Sequence, residues 1–158
     1  MDNLTSSRAI SSLNHIMELE LAGVVKYTHY ALMVYGYNRI PIVSWLKENA
    51  SESLAHAHKA GELVTLLGGH PSLRIGDLLE TEKHDIGDIL QESLENETQA
   101  LAAYYDLLKI STGTHPETSG VQSVLLEEYA REMIVTEEMH LDEVNKMLRK
   151  AGDLCVFK

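Results

Sequence analysis

Residues 137–140 read Glu-Glu-Met-His, and they lie inside a helical run from about Val121 to Lys150. A glutamate and a histidine three residues apart point to the same side of a helix. The apolar seam of that run passes through Leu126, Ala130, Met133, Glu137, His140, Val144 and Met147, in alternating steps of four and three. Glu137 and His140 therefore stand where core residues belong. A carboxylate on a core face is costly unless a charge partner or a metal compensates it.

Three more helical runs lie upstream, and each carries a similar intrusion. The first is expected to open among Thr5, Ser6 and Ser7, good N-cap residues, and to reach about Tyr35 before Gly36 and Pro41. Its seam runs through Leu13, Ile16 or Met17, Glu20, Val24, Tyr27, Ala31 and Val34, with Glu20 as the polar member. Glu18 falls off that stripe and reads as solvated. The second helix starts near Pro41 and ends at Gly68-Gly69, with His56 on its seam and Glu52 and Ser53 to either side. The third runs from about Asp85 to Ile110, with Glu97 on its seam. Between the second and third lies the longest break, His70 to Lys83, long enough to cross the end of a bundle. A loop from Ser111 to Gly120 leads into the fourth helix, which is expected to end near Gly152.

Four helices, each roughly 40–48 Å long at about 1.5 Å per residue, make an all-α fold: a four-helix bundle in one domain, residues 1–158, with a long crossover between helices 2 and 3. The polar residues facing its interior are Glu20, then Glu52 or Ser53 with His56, then Glu97, then Glu137 with His140. Carboxylate, carboxylate/imidazole, carboxylate, carboxylate/imidazole is an order that repeats between the two halves of the chain. It is the ligand arrangement of di-iron carboxylate bundles. Oxygen and imidazole donors suit iron, manganese or zinc. A single Glu or His on a seam is more often a boundary residue or a hydrogen-bonded core group; four helices sharing the feature in a mirrored order favour a metal site. His70, His84 and His115 sit at or beside breaks and read as surface residues.

Bulk composition agrees. The 158 residues are 44% hydrophobic and 23% charged, ordinary for a globular domain. The net charge of −11 argues against nucleic acid or an anionic membrane as a partner and for cations. No apolar run approaches the length of a membrane span, and Met1 to Arg8 lacks the apolar core of a signal peptide. The one cysteine, Cys155, cannot form an internal disulfide, so the expected compartment is a reducing cytoplasm.

From Leu13 to about Met147 the chain resembles the bacterioferritin branch of the ferritin-like superfamily. Leu19-Glu20-Leu21-Ala22 is similar to the family's first-ligand segment, with Tyr27 matching a tyrosine near its di-iron site. His56 followed by Leu66-Leu67-Gly68-Gly69-His70-Pro71 matches the end of the second helix and its turn. Glu97 matches the third-helix ligand, and Glu137-Glu138-Met139-His140 the fourth-helix pair. The resemblance implies a ferroxidase that oxidises Fe(II) with oxygen or peroxide and stores the mineral in a cage. Glu20, His56, Glu97, Glu137 and His140 would be both ligands and catalytic residues, with Glu52 a sixth ligand.

Three positions depart from the family's pattern. Its second-helix glutamate, three before the histidine, is Ser53 here, and Glu52 is the nearest substitute. Its haem-ligating methionine is Leu54, so no haem is expected. The chain stops almost where the short fifth helix begins, so that helix is expected to be largely missing. The expected assembly is a homo-oligomer, a dimer on the strength of apolar residues such as Leu21, Val25 and Tyr37 on the outer faces, with the 24-subunit cage as the larger state. Two other functions use the same residues: a rubrerythrin-like di-iron peroxidase or oxidase, and a non-enzymatic metal-binding helical oligomer.

Overall fold

The computed structural model describes residues 3–113 and 121–154. They form four helices, α1 (Asn3–Met33), α2 (Arg39–Leu66), α3 (Ile86–Thr112) and α4 (Val121–Leu148). The expected loop with His115 and the tail with Cys155 lie outside the described residues. α1 begins at Asn3, ahead of the Thr5–Ser7 caps, and α2 at Arg39, which leaves Pro41 inside the first turn, where its missing N–H has no helical partner to lose. Asp85 caps α3, accepting from the Gly87 amide at 3.0 Å. α4 stops short of the expected Gly152: the Arg149 amide bonds the Lys146 carbonyl at 3.3 Å, the tighter spacing in which helices end.

Contacts fix the direction of each helix. Along α1 and α3, Tyr30 meets Glu92, and Tyr104 meets Glu20 further back, so the two run antiparallel. On α2 and α4, Glu52 meets His140 and Lys59 meets Glu132, again in opposite order. α2 likewise opposes α1: Trp45 packs on Tyr27, and Gly69, just beyond α2, lies against Ile10. α2 and α3 consequently point the same way, and the segment joining them must travel the length of the bundle.

It does so along α1. The Asn14 amide group donates to the His70 carbonyl and accepts from the Ser72 amide, at 3.1 and 2.8 Å. Further along, the Gly76 amide donates to the Glu18 carbonyl at 2.8 Å. The solvated role expected of Glu18 is therefore wrong. Its carboxylate accepts from the Ser72 hydroxyl at 2.5 Å and lies 3.4 Å from the Arg74 guanidinium. A seam records only the bundle interior, whereas Glu18 faces the crossover lying on the outside. His84 is also misread, being half-buried at the end of that crossover rather than on open surface. Leu21, expected on an outer face, is half-buried against the core.

The core is divided. One apolar cluster gathers Leu13, Ile16, Leu63, Leu107, Leu126 and Met133, and the other Tyr27, Tyr30, Val34, Leu46 and Ile89. Between them lies a layer of buried polar residues: Glu20, Asn49, Ser53, Glu97 and Glu137.

At Gly76 the crossover lies directly against the backbone of α1. A Cβ there would lie 3.1 Å from the Glu18 carbonyl oxygen and 3.3 Å from the Ala22 Cβ. Both are rooted in helix backbone and yield little. Gly76→Val is expected to cost about 1–3 kcal/mol by overpacking, lowering Tm by roughly 2–4 °C for each kcal/mol. Thermal unfolding with an unchanged Tm would show that the crossover does not press on α1.

Candidate metal centre

Each helix delivers its polar seam residue to one level of the bundle. Glu20 comes from α1, His56 from α2, Glu97 from α3, and Glu137 with His140 from α4. Glu137 is the centre of the group, 1% exposed, while Glu20 and Glu97 are 5% exposed. Its two oxygens face opposite ways. Oε1 lies 3.3 Å from Nδ1 of His56, and Oε2 lies 3.5 Å from Nδ1 of His140. The terminal carboxylates complete each side, with Glu20 Oε1 3.4 Å from His56 Nδ1 and Glu97 Oε2 3.6 Å from His140 Nδ1. The two imidazole planes are nearly parallel, 17° apart, on either side of Glu137.

Two donor trios result, Glu20–His56–Glu137 and Glu97–Glu137–His140, and they share Glu137. Two donors each about 2.1 Å from a common ion at tetrahedral angles lie about 3.4 Å apart. The separations in both trios fall at that spacing. Oε1 of Glu137, moreover, is buried with no hydrogen-bond partner. A buried carboxylate oxygen left in that state is strongly disfavoured without a cation. The residues present thus fit a pair of ions bridged by Glu137.

Without metal, the charges settle among themselves. Burial opposes protonation of His56, but the Glu137 and Glu20 carboxylates outweigh it and push its pKa up to about 9. His140 is pushed up to about 11, chiefly by Glu137 and Glu97. Burial raises the Glu97 carboxyl above the usual range, with the nearby Glu137 charge acting in the same direction. For Glu137 burial also opposes ionisation, yet the two flanking histidines win and hold it below the usual range.

Glu52 does not join either trio. Its half-exposed carboxylate sits at the mouth of the site, 3.2 Å from His140 Nε2 and 3.9 Å from His56 Nε2, the nitrogens that face away from Glu137. Ser53, by contrast, is buried and lines the same space, as does Asn49. Leu54 is exposed on the outside of α2.

Two tyrosines fix the terminal carboxylates. The Tyr27 hydroxyl donates to Glu97, and the Tyr104 hydroxyl donates to Glu20 Oε1 at 2.8 Å. Burial and these carboxylates hold both phenols well above their ordinary pKa, so both remain donors. The role of Tyr104 was missed from sequence, although a signal existed. Tyr27 follows Glu20 by one heptad and Tyr104 follows Glu97 by one heptad. Long side chains on a helix lean toward its N-terminus, so on antiparallel helices each tyrosine returns to the level of the opposite glutamate.

Solved structures share this architecture. A ferritin-like diiron-carboxylate protein from Bacillus anthracis is 21% identical, with a TM-score of 0.83, covering 94% of this chain and 100% of that one. The bacterioferritin of Rhodobacter capsulatus, described with a metal-free dinuclear site and haem iron, is 21% identical, with a TM-score of 0.79 over 90% of this chain and 84% of its own. The Desulfovibrio desulfuricans bacterioferritin, described with its diiron site in different catalytic states, is 22% identical, with a TM-score of 0.77 over 94% and 83%. No curated protein matches the sequence. Among the described residues no helix is long and apolar enough to cross a membrane. The model of the ferritin-like domain matches residues 10–152, nearly the whole chain, and the chain therefore belongs to the ferritin-like family.

Proposed function

We propose that the chain is a bacterioferritin-like iron-handling protein whose centre oxidises Fe(II) to Fe(III). The observation that carries this is Glu137, with one oxygen toward each of two imidazole–carboxylate pairs. A paired site of this kind passes one electron from each of two Fe(II) ions to oxygen or peroxide. Glu20 and His56 on one side and Glu97 and His140 on the other would hold the ions, with Glu137 common to both sets. Tyr27 and Tyr104 keep the terminal carboxylates from swinging away. Glu52, at the exposed mouth, lies 3.2 Å from the outer Nε2 of His140, where it favours a proton on that nitrogen and leaves Nδ1 to ligate, and 3.9 Å from that of His56. From there it can also turn inward to supply the carboxylate that Ser53 lacks. Manganese and zinc suit the same donors. No haem is part of this function, since Leu54 has no donor atom.

The protein is further proposed to act as a homo-oligomer in the cytoplasm, a dimer at least. Val25, Leu32, Tyr35 and Ile40 are exposed by 44%, 65%, 73% and 84% on or beside the first two helices, an apolar surface that a second copy would cover. Aerobic Fe(II) loading followed by sizing separates dimer from cage. Hundreds of irons in a very large particle would establish storage, while one or two irons per subunit on a small oligomer would exclude it.

Glu97→Ala and His140→Ala are expected to abolish oxygen-dependent Fe(II) oxidation, followed by absorbance of the ferric product; undiminished rates would remove this assignment. Glu52→Ala should leave one ion bound and weaken the second by about 10–100-fold.

Loading is also tied to pH. Because His56 and His140 titrate near 9 and 11 in the metal-free protein, both are protonated at neutral pH and must release their protons to ligate. About two protons should appear in solution per subunit loaded at pH 7, and apparent affinity should rise with pH. The metal-free fold has the opposite dependence. The stability it draws from these raised pKa values is complete below about 6.5, the ordinary histidine value, and is lost as pH rises through 9 to 11. Metal uptake without proton release, measured by titration in weakly buffered solution, would overturn this account.

A further inference from the structure

A second group of metal-binding side chains lies outside the bundle, where the crossover reaches α3. Its members are His29 on α1, and Glu80 and His84 in the crossover. None of the three lines the centre described above. Their positions are fixed by rigid neighbours. Tyr30, next to His29, donates to Glu92 Oε2 at 2.7 Å, and Thr81, next to Glu80, donates to the other oxygen of the same carboxylate. One residue of α3 therefore clamps both α1 and the crossover. His84 immediately precedes Asp85, the cap of α3. Between Glu80 and His84 the chain doubles back at Glu82, a non-glycine residue at φ 55°, whose amide donates to Glu80 Oε1 at 2.6 Å. That turn brings Glu80 and His84 onto the side facing His29.

The donor atoms converge. His29 Nε2 lies 2.7 Å from Glu80 Oε2, and His84 Nε2 lies 3.5 Å from Glu80 Oε1. These values bracket the spacing of about 3.4 Å expected for donors around one tetrahedral ion. All three donor atoms fall within 4.8 Å of one another. Both Nε2 atoms are shielded from solvent, yet neither has a hydrogen-bond partner despite the nearby carboxylate. Two inward-facing imidazole nitrogens that converge on one carboxylate at ion-pair distance, without an aligned hydrogen bond, form an arrangement that a bound cation would complete. The outer parts of the side chains remain accessible, 40% exposed at His29 and 24% at His84, so an ion can enter from solvent.

We propose that His29, Glu80 and His84 form a second site, binding a single divalent transition-metal ion of the Zn2+ or Fe2+ class. Two imidazoles and one carboxylate favour such ions over Ca2+ and Mg2+, which prefer all-oxygen shells. The remaining coordination positions belong to water. Bound there, the ion joins the crossover to α1 and supports the fold whether or not the bundle centre is filled.

The test is a Zn2+ titration of the full chain carrying His56→Ala, Glu137→Ala and His140→Ala, which removes two of the three donors from each trio of the bundle centre. One Zn2+ per subunit should still bind, and adding His29→Ala or His84→Ala should weaken it by more than about 100-fold, beyond the roughly 10–100-fold lost with an outer partner of a ligand. Should the combined variants fail to fold, Co2+ added to the otherwise unaltered chain supplies the reading. Its visible absorption should lose the contribution of one ion in His84→Gln. Absence of the extra equivalent, or binding and spectra unaffected by the His29 and His84 substitutions, would show that the cluster is an ion pair and overturn the proposal.

Discussion

Three carboxylates, from Glu20, Glu97 and Glu137, are buried within a few ångströms of two imidazoles, and this concentration of charge constrains the rest of the bundle. Buried like charges cannot all ionise unless opposite charge is placed among them. His56 and His140 supply it from either side of Glu137. Every helix has to contribute at the same level, so the register of four helices is linked to the balance of one polar layer. The apolar clusters above and below set the packing, but they would tolerate a helix sliding by a turn far better than the charged layer would.

The layer is built from two similar halves. α1 and α3 each bring a glutamate followed one heptad later by a tyrosine; α2 and α4 each bring a histidine. Because α1 and α3 are antiparallel, the tyrosine of each anchors the glutamate of the other. Such crossed support stiffens ligand positions through groups that do not themselves ligate. The symmetry ends at α2, where Ser53 stands in a position that a carboxylate would match to Glu137.

Sequence periodicity revealed what faces the bundle axis and little else. Glu20, His56, Glu97, Glu137 and His140 were legible because each is a polar residue on an apolar seam, and all five converge. The length of the break after α2 also allowed for a crossover, and the parallel course of α2 and α3 requires one. Glu18 and His84 were misread because their partners are in the crossover, which has no period of its own. His29 gave no signal at all: on α1 it faces outward, and its neighbours Glu80 and His84 meet it only after the turn at Glu82. Helix ends shifted by a few residues for the related reason that final turns depend on local hydrogen bonds, not on the seam.

A neutral residue at Ser53 is consistent with the charge balance of the metal-free state. Two imidazolium ions stand among the three buried carboxylates, with Glu137 held below the usual carboxyl range by them and Glu97 raised by burial, so the layer carries its own compensating charge. Protons occupy the electrostatic role that cations would take. A fourth buried carboxylate at position 53 would need yet another proton or would leave the layer negative, at a cost of several kcal/mol for an uncompensated buried ion. Glu52 avoids that cost by remaining at the wet mouth, where water solvates its charge. Two divalent ions would bring four positive charges against three buried carboxylates, with the Glu52 side chain one residue away from position 53, at the entrance. A carboxylate at position 52 rather than 53 thereby spares the metal-free bundle one buried charge.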